Sequence, residues 1–302
     1  MNPDEARVVE SYGRRVVLSL PDGQRQPAEV FGKRLRVVCG DEVRVSQHAE
    51  NSALQVLDVL PRKTHFTRTN SQGQAEVLAA NITQLVVLMS DHPVSDPFIV
   101  DRYLAGAELG GIKALLVATK QDLGQSEEFQ AHIVAYQQAG YEVCNVSARD
   151  QATLHTLRQA LSNEVSMLVG ESGVGKSTLT NALLGSNTQR IREISESTGE
   201  GRHTTVSSIL FDLPEGNAAL IDSPGVRDYA PAPVNDLQVS FGWREFARYT
   251  GQCKFNNCLH LREPGCAVLA AVSAGEISPR RHESYKRLIN LMRQLLPSYE
   301  RH

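Results

Sequence analysis

No apolar run in this chain is long enough to cross a bilayer; the longest, such as Leu85–Met89 and Ala114–Ala118, have the length of strands. The first residues, M-N-P-D-E-A-R, lack the apolar core of a signal peptide. An excess of basic charge is missing too. Lys and Arg number 31 against 34 Asp and Glu, a net charge of −3, which excludes a globally basic RNA-coating protein and confines nucleic-acid contact to local patches. Cysteine is scarce and odd in number, 5 in 302 residues with no regular disulfide spacing, which points to a reducing cytoplasm. No internal repeat stands out. What is present is 41% hydrophobic and 22% charged residues, enough for real cores in two or three domains.

Three segments follow one another. Residues 1–62 read as five short strands rich in β-branched residues: Val8–Tyr12, Arg15–Leu20, Ala28–Gly32, Glu42–Ser46 and Leu54–Val59, with turns at Pro21-Asp22-Gly23 and Cys39-Gly40-Asp41. That spacing fits a small barrel of the OB-fold type, with a plain β-meander as the alternative. A basic knot, Lys33-Arg34-Leu35-Arg36, tilts the barrel toward nucleic acid. Residues 63–228 alternate strands (Leu85–Met89, Ala114–Ala118, Glu142–Val146, Val165–Val169, Ala218–Ile221) with helices (Pro97–Leu109, Glu127–Ala139, Ala152–Leu161), the pattern of a largely parallel sheet covered on both faces. Ligands in such sheets bind at the carboxyl ends of the strands. Residues 229–302 begin at the breaker Pro231-Ala232-Pro233 and hold a helical stretch near Phe241–Tyr249, a Cys/His cluster and a last helix from about Pro279 to Leu296. Few large apolar side chains are expected to hold this segment together.

Gly170-Glu171-Ser172-Gly173-Val174-Gly175-Lys176-Ser177 matches G-x-x-x-x-G-K-[ST] in full, follows a strand and opens a helix that begins with Ser177 and Thr178. The glycines let successive N–H groups face phosphate oxygens, reinforced by the positive end of the helix. Lys176 would reach the β and γ phosphates, and the Ser177 hydroxyl would ligate Mg²⁺. A P-loop kinase is the reading to exclude, and the next motifs exclude it.

Thr119-Lys120-Gln121-Asp122, directly after a strand, is similar to the guanine motif N-K-x-D with Thr in first place. An ionised Asp122 accepts from guanine N1–H and from its exocyclic amine; adenine has no such pair. The stem of Lys120 can cover the base, while Thr119 shortens the reach of the usual Asn. Ser147-Ala148-Arg149 is similar to the S-A-K element beside guanine O6. Asp222-Ser223-Pro224-Gly225 matches D-x-x-G, in which Asp222 holds Mg²⁺ through water and the Gly225 N–H senses the γ-phosphate. Between them Gly201-Arg202-His203-Thr204-Thr205 stands where a switch threonine is expected, with Thr204 the Mg²⁺ ligand. The order is permuted, base recognition before the phosphate loop, so the D-x-x-G segment runs directly into the third segment and its movement can pass along the chain.

Cys253-x₄-Cys258-x-His260-x₅-Cys266 supplies three thiols and an imidazole, a closed tetrahedral Zn²⁺ set that is structural, one per chain. Cys39 and Cys144 stand alone and read as small buried residues.

Together these motifs resemble the RsgA (YjeQ) family of circularly permuted GTPases in the YlqF/YawG group, over essentially the whole chain. The resemblance implies a multidomain protein: an N-terminal OB-fold β-barrel (1–62), a central α/β P-loop GTPase domain with circularly permuted motifs (63–228), and a C-terminal mainly helical zinc-binding domain (229–302). It further implies a cytoplasmic GTPase, a monomer with no membrane or DNA partner, that binds GTP and GDP. Such a GTPase acts on the small ribosomal subunit and its rRNA, is stimulated by that subunit and helps release the assembly factor RbfA. The basic residues of the last helix, Arg280, Arg281, Lys286, Arg287 and Arg293, favour an RNA ligand; a protein-interaction switch without RNA is the alternative. Val226 occupies the place where a water-orienting Gln is common, so intrinsic hydrolysis should be slow. His203 is the candidate to position water, or else a loop-packing or RNA-touching residue.

Overall fold

A computed structural model describes residues 4–32, 34–47, 53–70, 72–185, 208–222 and 229–295. The first five strands, β1 (Glu5–Tyr12), β2 (Arg15–Ser19), β3 (Arg25–Val30), β4 (Glu42–Gln47) and β5 (Leu54–Val59), close into a barrel in the order β1-β2-β3-β5-β4 and back to β1. Alternation along the strands drives closure, because Ala6, Val8, Val16, Leu18, Val30, Val43 and Val56 all point into one apolar core. β1 does double duty. A bulge between Val8 and Glu10 bends it, so its first half pairs with β4 while Glu10 pairs with Ile209 of the central sheet.

A hairpin, β6 (His65–Thr69) and β7 (Ala75–Ala80), links the barrel to the central domain. The barrel presses close here. Gly40, at φ +90°, lies so near the hairpin that a Cβ would sit 2.1 Å from the Ala80 carbonyl oxygen, and the Ala80 N–H donates to Cys39 O at 3.0 Å.

The central sheet adds β8 (Gln84–Met89), β9 (Lys113–Ala118), β10 (Glu142–Asn145), β11 (Val165–Val169), β12 (Ile209–Asp212) and β13 (Ala219–Asp222), ordered β10-β9-β8-β11-β13-β12. The first five positions are parallel, as expected; β12 is an antiparallel addition that joins β13 to the barrel's β1. All of β8 is buried, the signature of a strand covered on both faces. The covering helices are α1 (Pro97–Leu109), α2 (Glu127–Gln138), α3 (Gln151–Ala160) and α4 (Lys176–Leu184). Asp96, Ser126 and Asp150 cap the first three, each side chain accepting a backbone N–H of the opening turn.

The third segment departs from expectation in three ways. The stretch near Phe241–Tyr249 forms two 3₁₀ turns, Ser240–Gly242 and Arg244–Tyr249, flanked by α5 (Asp236–Val239), α6 (Ala267–Ser273) and α7 (Pro279–Leu295). It is not short of apolar material: Trp243, Phe246, Tyr285, Leu288, Ile289 and Met292 build a core of their own. The basic residues of α7 do not form a patch. Arg281 is 1% exposed and forks onto both Glu245 oxygens (2.6 and 2.8 Å) and Asp101 (2.6 Å). Arg280 pairs with Asp101, Arg293 with Asp236, and Lys286 and Arg287 with Glu283.

The exit from the D-x-x-G segment is also anchored. The buried Tyr229 ring stacks between Phe66 and Tyr103, with centroids 5.1 and 4.5 Å away, and its hydroxyl donates to Thr67 O at 3.0 Å. The Thr69 N–H and hydroxyl donate to Ala230 O and Pro231 O. Movement expected to pass straight along the chain therefore meets a fixed point on the hairpin first.

Candidate functional site

The phosphate loop leaves β11 and turns through Gly170, Gly173 and Gly175, all at positive φ (147°, 85° and 98°). A side chain at Gly170 would place Cβ 2.8 Å from Leu88 O, so the loop can pass over β8 only with glycine there. Val174 is fully buried and pins the loop to the core. Gly175 then caps α4, whose first residues, Lys176, Ser177 and Thr178, line a trough of about 520 Å³ together with Lys120, Ser172, Gly173 and Gly175. Lys176 Nζ donates to Gly170 O (2.5 Å) and Glu171 O (2.7 Å). Burial pulls the Lys176 ammonium below its ordinary range and pushes the Asp222 carboxyl above its own, and each charge opposes the other's shift. Asp222 ends β13, level with Leu168 of β11. Ser177 lines the trough and Asp222 lies within electrostatic reach of Lys176, and hard oxygen donors such as theirs suit a small divalent ion such as Mg²⁺.

Beside the trough lies a cavity of about 240 Å³, whose wall shares Lys120, Gly175 and Thr178 with it. Asp122, on the turn Gln121–Leu123 after β9, accepts from the Ser147 hydroxyl at 2.8 Å and faces the Arg149 guanidinium at 3.6 Å. The Ser147 bond holds Asp122 below the usual carboxylate range against the cost of burial, with lesser help from backbone hydrogen bonding and Arg149. Ser147 Oγ also accepts the Arg149 N–H at 3.2 Å, which fixes the Ser147–Arg149 turn under the carboxylate. Ala148 lines the same cavity. Thr119 is buried; its hydroxyl lies 2.6 Å from Val174 O, so the base loop is tied directly to the phosphate loop. Lys120 stretches between the two, donating to His92 O and to Gly173 O.

The sequence did not flag the segment Ser90–Asp96 that follows β8. Its His92 carbonyl receives Lys120, the Asp96 N–H donates to Glu171 Oε2 at 2.7 Å, and the Pro93 ring packs on Gly173. Its one legible signal was position, at the carboxyl end of a parallel strand. His203, Thr204, Ser223, Gly225 and Val226 lie outside the described residues.

Cys253, Cys258, His260 and Cys266 present one ligand atom each, all within 4.8 Å of one another. His260 Nδ1 is 3.3 Å from Cys266 Sγ and 3.6 Å from Cys253 Sγ. Cys253 Sγ accepts the Ala267 N–H and Cys266 Sγ the Leu269 N–H. Glu263 accepts three N–H groups, from Leu259, Leu261 and Arg262, and so fixes the loop between the last ligands. Burial pushes the Cys258 thiol up to about 12, so a bound cation is what would make it a thiolate at neutral pH. The set fits a metal ion. Cys39 and Cys144 are buried and remote from it, as expected.

A family model described as RsgA GTPase matches residues 59–231. A small ribosomal subunit biogenesis GTPase RsgA of Neisseria meningitidis serogroup C is 38% identical over 279 residues, covering 92% of this chain and 89% of the relative. One from Azotobacter vinelandii is 38% identical over 290 residues, covering 93% and 84%. Among solved structures, YjeQ from Thermotoga maritima superposes with a TM-score of 0.73 at 24% identity over 97% of this chain and 98% of that one. YloQ, a circularly permuted GTPase, does so at 0.72 and 21% over 98% and 96%. These two likenesses speak for the fold.

Proposed function

Since this chain belongs to the RsgA GTPase family and is a GTP-hydrolysing enzyme, we propose that it serves late maturation of the small ribosomal subunit in the cytoplasm. It docks as a monomer with GTP bound, fires when the subunit engages it, and leaves together with RbfA. The ribosomal half of this reading rests on the relatives, each called a small ribosomal subunit biogenesis GTPase. The nucleotide half rests on one observation: the Asp122 cavity and the phosphate trough adjoin and are tied by the Thr119–Val174 bond.

In this reading the chain works as three units, 1–62, 63–228 and 229–302. Asp122, ionised and braced by Ser147, selects guanine, with Gln121 and Ala148 completing the turns around the base. Residues Gly170 to Thr178 cradle the phosphates, and Lys176 exchanges loop carbonyls for phosphate oxygens. Ser177, Thr204 and Asp222, the last through water, would hold Mg²⁺, which supplies charge neutralisation at the β and γ phosphates. Gly225 reports the γ-phosphate. RNA contact falls to the barrel, where Arg34 and Arg36 are exposed, because Arg280, Arg281 and Arg293 of α7 are paired internally and Lys286 and Arg287 share Glu283. Val226 leaves the water unoriented until docking brings His203 in. Zn²⁺ on Cys253, Cys258, His260 and Cys266 braces the third unit.

GTP turnover with and without purified small subunits tests the proposal. Stimulation that fades as salt rises is expected; equal turnover in both arms would leave a protein-interaction switch as the better reading. His203→Ala should cut stimulated turnover about 10²-fold while GTP affinity holds. Metal analysis should return about one zinc per chain, reduced in Cys258→Ala. The pH dependence has a definite sign. Asp122 is depressed in the folded chain, so guanine binding persists at mild acidity and is lost as pH falls through that low value. Ser147→Ala removes the main cause and should move the acid limb of GTP binding to higher pH, read by titrating affinity from neutral downward.

A further inference from the structure

Guanine presents two donors, N1–H and the exocyclic amine, and two acceptors, O6 and N7. Asp122 suits the donors, which leaves open how much of the acceptor edge the site reads. Thr119 lies on the wall of the base cavity, and a hydroxyl carries a single proton. That proton has two internal acceptors, Val174 O at 2.6 Å and Met89 O at 3.3 Å. With its proton committed inward, the hydroxyl shows the cavity only lone pairs, which repel N7. Other donors on this wall have internal partners too. Lys120 Nζ is bound to His92 O and Gly173 O, the Arg149 N–H to Ser147 Oγ, and the Arg149 guanidinium faces Asp122.

We propose that Thr119 makes this enzyme indifferent to N7: its hydroxyl is an internal strut between the base loop and the phosphate loop, and guanine is selected through the N1, N2 and O6 edge alone. The ligand class widens accordingly, to purine nucleotides that keep that edge and lack an acceptor at position 7. The inference rests on assigning guanine to this cavity, and the test separates the two.

Affinities of the intact chain for GTP, 7-deaza-GTP, ITP and ATP are measured by competition. GTP and 7-deaza-GTP should agree within about 2-fold, while ITP, which lacks the exocyclic amine, should lose about 10-fold against Asp122. A loss of 10-fold or more for 7-deaza-GTP overturns the inference. Failure to prefer GTP over ATP overturns the guanine reading itself, and the inference with it. Two variants probe the strut. Thr119→Val keeps the shape without the proton, so GTP and 7-deaza-GTP should weaken by the same factor; weakening of GTP alone would show that the hydroxyl had been serving N7. Thr119→Asn brings two N–H donors, enough for Val174 O and N7 together. It should open a gap of about 5-fold in favour of GTP over 7-deaza-GTP, converted from one neutral hydrogen bond of about 1 kcal/mol. No gap in that variant would mean that N7 lies beyond the reach of position 119, so that Thr119 does not decide the matter.

Discussion

The barrel and the C-terminal unit attach to the same central domain by different physics. At the barrel seam the contact is main chain: β1 continues the central sheet through β12, and Gly40 lets two backbones approach to the limit. The polar side-chain part is thin, Arg25 to Leu210 O and Asp212, both at 3.3 Å with the Asp212 side chain 74% exposed, and Asn81 to Gly40 O at 3.0 Å; Val9, Val17 and Cys39 add apolar contact with the central core. At the C-terminal seam the contact is buried charge. Asp101 of α1 and Glu245 enclose Arg281, Arg280 adds a second bond to Asp101, and Arg244 reaches Glu108 and Gly140 O while lying over the Tyr141 ring. A backbone seam tolerates side-chain change and follows the strand it is bonded to, here one that emerges from the stretch carrying G-R-H-T-T. A buried-charge seam gains little net stability, since desolvation offsets attraction, yet punishes any missing partner. A barrel held by the first kind of seam moves with β12, and a unit held by the second is fixed by its paired charges.

The largest effect expected from breaking this contrast is at Arg281. Arg281→Met strands Glu245 and half of Asp101 in the interior, where the removal of one buried partner costs about 3–5 kcal/mol. Urea unfolding of the intact chain measures it. A loss below about 1 kcal/mol would mean that water or rearrangement reaches the seam, and the two attachments would no longer differ in kind.

Gly106 tests the helix beneath the C-terminal seam, because α1 carries Asp101 toward Arg280 and Arg281 and Gly106 toward the Tyr229 slot. A Cβ at Gly106 would lie 2.0 Å from the Tyr229 hydroxyl. On helix propensity alone Gly106→Ala should stabilise by about 1 kcal/mol. Overpacking against a ring stacked on both faces should outweigh that and leave a net loss of about 1–2 kcal/mol. Adding Tyr229→Phe removes the clashing atom and should recover most of the loss. Recovery measured by thermal unfolding identifies the hydroxyl as the obstacle; no recovery would place the strain in α1 itself.

Legibility in the sequence followed the same divide. Barrel strands announced themselves through Val-rich alternation and Gly turns, and the phosphate and base loops through residue types that the ligand's chemistry imposes. The hairpin did not: β7, A-E-V-L-A-A, is made of helix formers and is a strand only because β6 pairs with it. Ser90–Asp96 acts through a carbonyl and an N–H that any residue carries. Arg281 looked like one more surface cation among five, because its partners lie 36 and 180 positions away. Charge pairing at such range leaves no local trace. The basic knot was legible as a local run, and Arg34 and Arg36 of it are exposed.

The smallest effect is expected at Arg25, and it sharpens the contrast by its size. The Arg25–Asp212 pair is long and mostly wet on the Asp212 side, so water screens most of its attraction, and exposed pairs of this kind contribute about 0–1 kcal/mol. The second bond, to Leu210 O, adds a neutral acceptor that water can satisfy in its absence. Arg25→Ala should therefore lower global stability by less than about 1 kcal/mol. Raising the salt should erase part of even that difference, whereas the Arg281→Met loss should hardly respond, because buried pairs are poorly screened. The backbone pairing of Glu10 with Ile209 remains in the variant, so amide exchange across β12 should stay slow. Fast exchange in β12 with little change in global stability would show that Arg25, rather than the main chain, holds the barrel to the sheet. The barrel seam would then be a second charge seam, and the barrel could detach from the central sheet by losing one ion pair.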